Sequence, residues 1–466
     1  MTSTSSSQSP ARRGSMLEAP IARTLVRKTL PVIGGMLAMM TFNLVDAWYI
    51  ASLGTAPLAA VSFTFPVVFA VISLAIGLGI GTSAVVGRLL GQGRHDLLAR
   101  RATDAVLLSL LVGALVTLAG LPSIESLFSL LGADATLMPY LEAYMGVWYW
   151  GAALVIAPRI INSVLRAHGN TLAAGLSMGV AAILNLALDP LLIFGAGPVP
   201  AMGVAGAALA TVLSWGLMTL GLICQPRLRG LIAFRGLTLG ALVESWRVLG
   251  RIALPAAVTS LFTPVAMALV TRIVADHGHA AVAAFGVGSR LDAIAQIVVL
   301  ALSMTLSPLV SQNLGAGQLA RVRRAIGGCL GFVLVWQLAI WAGLQGLAPW
   351  LTARYAEGPE VGEVLRDFIW LVPLGLGAQG VVILSVSSLN ALHRPRDAMA
   401  LSVVRLFVLF VPLAWLGSRL DGPHGIFTGM LTANLIMAGI AWWRLRAVLA
   451  RQRQSQGQDE SQGQLQ

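Results

Sequence analysis

Charged residues are scarce in this sequence: Asp, Glu, Lys and Arg make up only 11% of the 466 residues, whereas 57% are hydrophobic. This composition excludes a water-soluble globular domain. Lysine occurs once, as Lys28, and Arg27 and Ala22 stand where a phosphate-binding P-loop requires glycine, so no nucleotide site is expected. The two cysteines, Cys224 and Cys329, fall near predicted cytoplasmic loops, where thiols stay reduced, and no disulfide is expected.

Motifs for metal binding and catalysis are also lacking. The sequence has neither a His-Glu-x-x-His nor a Cys-x-x-Cys pattern. We therefore expect no metal, no cofactor and no catalytic residues. An enzyme embedded in the membrane is the weaker alternative.

What the sequence does contain is a series of long apolar runs. A helix of roughly twenty apolar residues crosses the hydrocarbon core of a bilayer. The runs predict an all-α integral membrane protein with the lipid bilayer as its surroundings. We place its twelve transmembrane helices near 29–51, 58–80, 102–121, 140–161, 171–195, 203–223, 250–273, 280–310, 325–347, 367–390, 398–418 and 425–443.

The net charge of +12 is distributed in short basic clusters between the apolar runs. Such clusters fix the orientation of a membrane protein, and they are not typical of a nucleic-acid-binding surface, so no nucleic-acid partner is expected. If the N-terminus is cytoplasmic, most of the Lys and Arg residues fall on the cytoplasmic side. The sequence therefore predicts a multi-pass protein of the inner (plasma) membrane with both termini in the cytoplasm. The Ser-rich start has no signal-peptide pattern.

The chain is a duplicated unit. At an offset of 224 residues, Leu30-Pro31 aligns with Leu254-Pro255 and Leu90-Gly91 aligns with Leu314-Gly315. Because each copy has six helices, an even number, the copies must lie parallel, which predicts two six-helix bundles around a central cavity. The expected divisions are a disordered tail at 1–22, an N-terminal lobe at 23–225, a cytoplasmic linker at 226–249, a C-terminal lobe at 250–447 and a disordered tail at 448–466.

Ionisable residues well inside the predicted spans, away from their ends, are few: Asp46, Asp189, Arg272, Arg290 and Asp292. Intramembrane charges are costly and commonly mark function. Asp46 has Val270 as its counterpart in the second copy, so only the first lobe keeps this carboxylate.

The two N-lobe carboxylates fall at similar depth. Asn185 precedes Asp189 by one helical turn, and Thr211 lies at comparable depth in the sixth helix. These groups together predict a site for a proton or a sodium ion. In the C-terminal lobe we favour a structural ion pair between Arg272 and Asp292, with Arg290 on the same helix as Asp292.

Pro31 lies near the start of the first helix, where it allows a kink. Such a kink either moves as a hinge or stays static. A cavity for a lipophilic cation is expected to be lined by Met and Phe side chains, although such residues are also ordinary packing residues. The candidates are Met36, Met39, Met40, Phe42 and Phe65.

Several short motifs resemble the multidrug and toxic compound extrusion (MATE) family, and most closely its DinF-like branch. They are Leu30-Pro31, Asn43-Leu44-Val45-Asp46, the Leu53 to Ala60 run, Arg166-Ala167-His168-Gly169-Asn170, Asn185-x-x-x-Asp189-Pro190 and Gly203 to Ala208. The resemblance covers about residues 23 to 447. It implies a V-shaped pair of bundles that exports organic, often cationic, compounds against an inward flow of protons or sodium.

The resemblance also implies site residues. The N-lobe ion site of the family maps onto Asp46, Asn185 and Asp189, with Thr211 and Asn162 as looser matches. The implied partner is a small organic molecule, and a monomer is expected. The alternatives are a lipid-linked glycan flippase of the same superfamily, which usually has a strongly cationic cavity, and a channel or scaffold without coupling carboxylates.

Overall fold

The computed structural model describes residues 16–224, 231, 238–355 and 358–463. Within the described residues, the first lobe contains seven helices: α1 (Ile21–Ser52), α2 (Thr55–Gly91), α3 (His95–Leu130), α4 (Met138–Trp150), α5 (Ala152–Ala167), α6 (Thr171–Phe194) and α7 (Val204–Ile223). The second lobe contains α8 (Leu239–Ala275), α9 (His279–Ala295), α10 (Ile297–Gly315), α11 (Leu319–Tyr355), α12 (Pro359–Leu371), α13 (Leu376–Ala391), α14 (Pro395–Val403) and α15 (Val411–Gly463). A 3₁₀ turn (Pro373–Gly375) precedes α13, and a π-helical segment (Val404–Phe410) joins α14 to α15.

These helices form the twelve predicted crossings. Among the described residues, ten helical stretches are long and apolar enough to cross a membrane, and the pair α4–α5, bent by 48°, makes an eleventh. The last stretch divides in two, because Asp421 and Gly422 adopt non-helical backbone angles inside α15. The all-helical membrane fold predicted from the apolar runs is confirmed.

Several boundaries differ from the prediction. Helix α8 begins at Leu239, so the described end of the expected linker 226–249 belongs to a transmembrane helix, while most of the linker lies outside the described residues. Helix α15 continues to Gly463, where a disordered tail from 448 was expected. Met16, inside the expected tail 1–22, is buried, and its carbonyl oxygen accepts a hydrogen bond from Asn313 at 3.1 Å; residues 1–15 lie outside the described residues.

The two lobes touch where arginine side chains are concentrated. We call this the basic end of the molecule; it is marked by Arg88, Arg101, Arg251 and Arg321. A Cβ atom added at Gly77 of α2 would lie 2.4 Å from the carbonyl oxygen of Ala253 in α8, so the two backbones are in contact there. At the same end, the hydroxyls of Thr29 and Thr305 form a 2.8 Å hydrogen bond between α1 and α10.

Each lobe has its own hydrophobic core. The first core includes Trp148, Met145 and Phe128, and one of the second lobe's cores includes Phe285, Phe368 and Phe427. Because the contacts described between the lobes lie at the basic end, the lobes diverge toward the opposite end and form the expected V around a central cavity.

Candidate ion-coupling site

The site is built on a close crossing of α1 and α6. A Cβ atom added at Gly175 would lie 2.1 Å from the carbonyl oxygen of Pro31, and one at Gly35 would lie 2.8 Å from the carbonyl oxygen of Gly175. Only glycine allows such an approach, as at many helix interfaces in membranes. Beyond the crossing, toward the end opposite the basic end, α1 carries Asp46 and α6 carries Asp189.

Asp189 is buried and held by a chain of polar groups. With its amide nitrogen facing the carboxylate, Asn185 donates to the two oxygens of Asp189, at 3.2 and 2.6 Å. In the same orientation, its amide oxygen accepts from the hydroxyl of Thr211 on α7, at 3.2 Å. Asn185 reaches Asp189 because residues one turn apart share a helix face. The three residues therefore form one network, as their depth and spacing predict.

Asp46 faces the same region of the N-terminal lobe. It lies one turn from Phe42 and one turn from Ile50, both buried, so its side chain belongs to the inward face of α1. One of its carboxylate oxygens is buried and has no hydrogen-bond partner among the described residues. Asp46 and Asp189 are close enough for their charges to interact. An unpartnered carboxylate oxygen beside a second carboxylate is a suitable ligand for a cation.

Tyr144 lies near enough to both carboxylates to interact with their charges, and the sequence did not reveal it. It is buried on α4, and it interacts electrostatically with both Asp46 and Asp189. A phenol can donate a hydrogen bond to a carboxylate or contribute an oxygen to a bound cation. No spacing rule links a residue of α4 to residues of α1 and α6, since this contact arises only from tertiary packing.

Asn162 lies outside this network. Its side-chain oxygen accepts a 2.8 Å hydrogen bond from Ser177, and both residues are buried. Ser177 precedes Asn185 by eight residues, which corresponds to about 12 Å along α6. The structure therefore brings four of the five expected ion-site residues toward one pocket and places Asn162 nearer the basic end.

The five expected cavity residues differ in exposure. Phe42 is buried in the N-terminal lobe, whereas Phe65 is 64% exposed and its ring contacts Phe69 at a centroid distance of 5.9 Å. The three methionines are half-buried: Met36, Met39 and Met40. Met39 packs against the core of the lobe.

The ion pair expected in the C-terminal lobe is not formed. Arg272 pairs instead with Asp276, one turn away, at 2.9 Å, and the two side chains are 76% and 60% exposed. Arg290 is exposed, and one oxygen of Asp292 is buried without a partner among the described residues. Local helical spacing favours the Arg272–Asp276 contact, which needs no approach between separate helices. The position equivalent to Asp46 is Val270, which is fully buried in an apolar core.

Two arginines that were not among the expected site residues lie within α5. Arg159 and Arg166 are half-buried and form no ion pair with a described carboxylate. The guanidinium of Arg159 lies 4.6 Å from the ring centroid of Trp215, and Arg166 donates to the hydroxyl of Ser163 at 2.7 Å. Their spacing of seven residues, two helical turns, was the available signal. The N-terminal lobe thus holds cationic as well as acidic groups.

Comparison with proteins of known sequence agrees with this architecture. The FAD transporter of Shewanella oneidensis is 41% identical over 438 residues, which are 93% of this chain and 96% of that protein. The multidrug export protein MepA of Staphylococcus aureus is 22% identical over 90% of this chain and 92% of its own length.

Solved structures agree as well. The crystal structure of the Vibrio cholerae MATE transporter VcmN in the bent form is 33% identical, with a TM-score of 0.87 over 92% of this chain and 97% of that chain. The family model described as MatE matches residues 31–191 and 255–416, one segment in each lobe. With twelve crossings, two diverging lobes and matches over most of its length, this chain belongs to the MATE family of efflux transporters.

Proposed function

We propose that this chain is a secondary antiporter of the inner membrane that exports a small organic molecule in exchange for an ion bound at the N-lobe carboxylates. The observation that carries the proposal is that the charges of Asp46 and Asp189 interact inside the N-terminal lobe, with Asn185 and Thr211 bonded behind Asp189. Two ionised carboxylates in an apolar region repel each other, and uptake of a proton or a sodium ion relieves that repulsion. Ion binding and the conformation of the lobe are therefore linked.

Helix α1 connects the ion site to the cavity. It carries Asp46 and Pro31, and it contacts α6 at Gly175. Ion binding at Asp46 stabilises the arrangement of α1 in which the two carboxylates are close together. A bend of α1 at Pro31 would then change the volume available to cargo in the N-terminal lobe. Cargo and ion bind in alternation because they favour different arrangements of the same helix.

The test is transport by the purified full-length chain in proteoliposomes, under an imposed proton gradient and, separately, an imposed sodium gradient. We expect Asp46→Asn and Asp189→Asn to abolish gradient-driven transport. Asp134→Asn is the matched control, because Asp134 is exposed and far from the site in sequence. Gradient-driven transport at wild-type rates by both N-lobe variants, at equal protein levels, contradicts the proposal.

The cargo has two candidates. A lipophilic cation would be attracted by the carboxylates. FAD is supported by the 41% identical relative that bears the name FAD transporter. Arg159 and Arg166, which have no described carboxylate partner, provide positive charge for its pyrophosphate. We favour FAD, because the relative matches nearly the whole chain.

A transport experiment with each candidate cargo in turn distinguishes FAD from a lipophilic cation. Proteoliposomes are loaded with FAD or with ethidium, and release is followed by fluorescence under the gradient that drives transport. We expect FAD release, and a loss of it in Arg159→Gln. Release of ethidium but not of FAD supports the cationic cargo and leaves the ion-coupling proposal intact.

A further inference from the structure

We propose that the chain has a binding site for one anionic phospholipid, in a groove between the start of α11 and the end of the membrane-spanning part of α15. The groove has a volume of about 1020 Å³ and lies at the basic end, away from the ion-coupling site. It lies at the arginine-rich ends of the two helices, where the boundary of a bilayer would lie. It shares no residue with the ion-coupling site.

The charged side chains that line the groove are all positive among the described residues. Four arginines line it: Arg323, Arg324, Arg446 and Arg453. All four are exposed, and none forms an ion pair with a described carboxylate. Neighbouring Arg444, in contrast, is neutralised by Asp397 at 2.6 Å. The four unneutralised guanidinium groups fit the phosphate of a lipid headgroup, which accepts paired hydrogen bonds from arginine.

The rest of the groove is apolar. Ile326, Leu445 and Leu449 contribute buried aliphatic surface, and the ring of Trp442 lies 4.4 Å from the guanidinium of Arg446. Trp at this depth is typical of the boundary between headgroups and acyl chains. Aliphatic surface continuing below a cluster of arginines fits an acyl chain and a headgroup of the same molecule, and a free phosphate ion would use only the arginines.

Gly327 leaves the space that the acyl chain would fill. A Cβ atom added there meets nothing within 4 Å, although the residue lines the groove. A larger side chain at Gly327 would therefore occupy the groove without displacing protein atoms. Gly328, the next residue of α11, is equally open but does not line the groove. The pair Gly327 and Gly328 provides a matched test.

Basic pockets between transmembrane helices commonly bind anionic headgroups, and each basic residue near the membrane surface contributes roughly fivefold to binding. The zwitterionic phosphatidylcholine has no net charge to complement the four arginines. We therefore commit to an anionic phospholipid, with phosphatidylglycerol as the probe. The double variant Arg323→Gln/Arg446→Gln is expected to bind it about thirtyfold more weakly than the wild type.

The experiment measures retained lipid on the full-length chain by native mass spectrometry, after titration with phosphatidylglycerol or phosphatidylcholine in the same detergent. The wild type is expected to retain one phosphatidylglycerol in preference to phosphatidylcholine. Gly327→Leu and Arg323→Gln/Arg446→Gln should lose this molecule. Gly328→Leu and the control Arg94→Gln/Arg451→Gln, which changes two exposed arginines outside the groove, should keep it.

Three results would overturn the proposal. The first is equal retention of phosphatidylglycerol by the wild type and both groove variants. The second is no preference of the wild type for phosphatidylglycerol over phosphatidylcholine. The third is full competition by inorganic phosphate at equal concentration, which would mean that the arginines bind a free anion and that the apolar part of the groove is not used. Unfolding midpoints of all variants are measured in parallel, so that loss of folding is recognised.

Discussion

Gly91 and Gly315 occupy equivalent positions in the two repeats, and each packs its backbone against the helix that carries the other. A Cβ atom added at Gly91 would lie 2.0 Å from the carbonyl oxygen of Gln312, and one at Gly315 would lie 2.2 Å from that of Arg88. The axis that relates the lobes therefore passes between α2 and α10 at the basic end. The contact closes that end of the cavity in this structure.

A side chain at this contact should force the lobes apart. We expect Gly91→Val to shift the population away from the conformation that is closed at the basic end, because the carbonyl group of Gln312 belongs to a helix backbone and cannot move independently. The distance between spin labels placed on the basic ends of α3 and α11 reports this shift. Gly286→Val is the control, since a Cβ atom there meets nothing within 4 Å. Identical distance distributions for the two variants would contradict the prediction.

A polar network also joins the lobes at this end, and it should contribute to stability. Ser245 of α8 donates to the carboxylate of buried Asp104 in α3, and Trp246 donates to the backbone oxygen of Asp104 at 2.9 Å. Arg101 of α3 contacts both Ser245 and Glu244. Ser245→Ala leaves the buried carboxylate without its hydroxyl partner, which costs about 1 to 3 kcal/mol.

The measurement is the free energy of unfolding in a denaturant titration, with Ser260→Ala as the control. Ser260 is also in α8, but it bonds only the backbone of its own helix, at Ala256. A double-mutant cycle with Asp104→Asn then isolates the coupling between the two side chains. Additive effects of the two substitutions would show that the network does not act as a unit.

Removal of the hydroxyl behind Asp189 should weaken ion binding without abolishing it. Thr211→Val keeps the shape of the side chain but removes the hydroxyl that donates to the amide oxygen of Asn185. Thr211→Ser keeps this hydrogen bond. A hydrogen bond contributes about 1 kcal/mol net. Its loss in Thr211→Val therefore predicts a roughly fivefold rise in the ion concentration that gives half-maximal transport. The rate of transport against sodium or proton concentration measures it. Equal values for the Val and Ser variants would remove Thr211 from the proposed site.

His393 should make stability depend on pH. It lies in the turn between α13 and α14, outside the spans, where burial and the charge of Arg88 lower its pKa from 6.5 to about 4. The folded chain therefore resists protonation of this ring, and stability is lost as the pH falls from about 6.5 toward 4. A tenfold difference in proton affinity corresponds to about 1.4 kcal/mol.

The matched variant is His393→Asn, because the backbone φ of 58° at this position suits Asn better than most residues. We expect thermal unfolding midpoints of the wild type to fall more steeply than those of His393→Asn between pH 6.5 and 4. Parallel curves for the two proteins over that range would contradict the prediction.

The sequence was sufficient to predict the features that depend only on the order of residues along the chain. The bilayer fixes helix length, so apolar runs predicted the twelve crossings, and helical spacing placed Asn185 beside Asp189. The rarity of intramembrane acids singled out Asp46. Contacts between separate helices could not be predicted in this way, and the position of Tyr144 on α4 is one of them. The pair of Arg272 with Asp276 follows the i,i+4 rule, so the sequence already offered this partner, and the expected pair with Asp292 overlooked it.

Breaks inside helices were also missed. The bend at Gly151 between α4 and α5, and the interruption at Gln296 between α9 and α10, lie within continuous apolar runs. Hydropathy is the same on both sides of such a break, so it carries no signal for it. Arg166 was left outside the span predicted at 140–161, because charged residues end an apolar run, whether or not the helix itself ends.

In the proposed mechanism, the contact of Pro31 with Gly175 is the point about which α1 tilts. Fifteen residues of helix separate Pro31 from Asp46, a lever of about 22 Å. A tilt of roughly ten degrees at the proline would carry the carboxylate by roughly 4 Å, which exceeds the length of a hydrogen bond or of a metal-oxygen contact. If Asp46 binds the coupling ion as proposed, a small angular change at one end of α1 is enough to assemble or dismantle the coordination of that ion at the other.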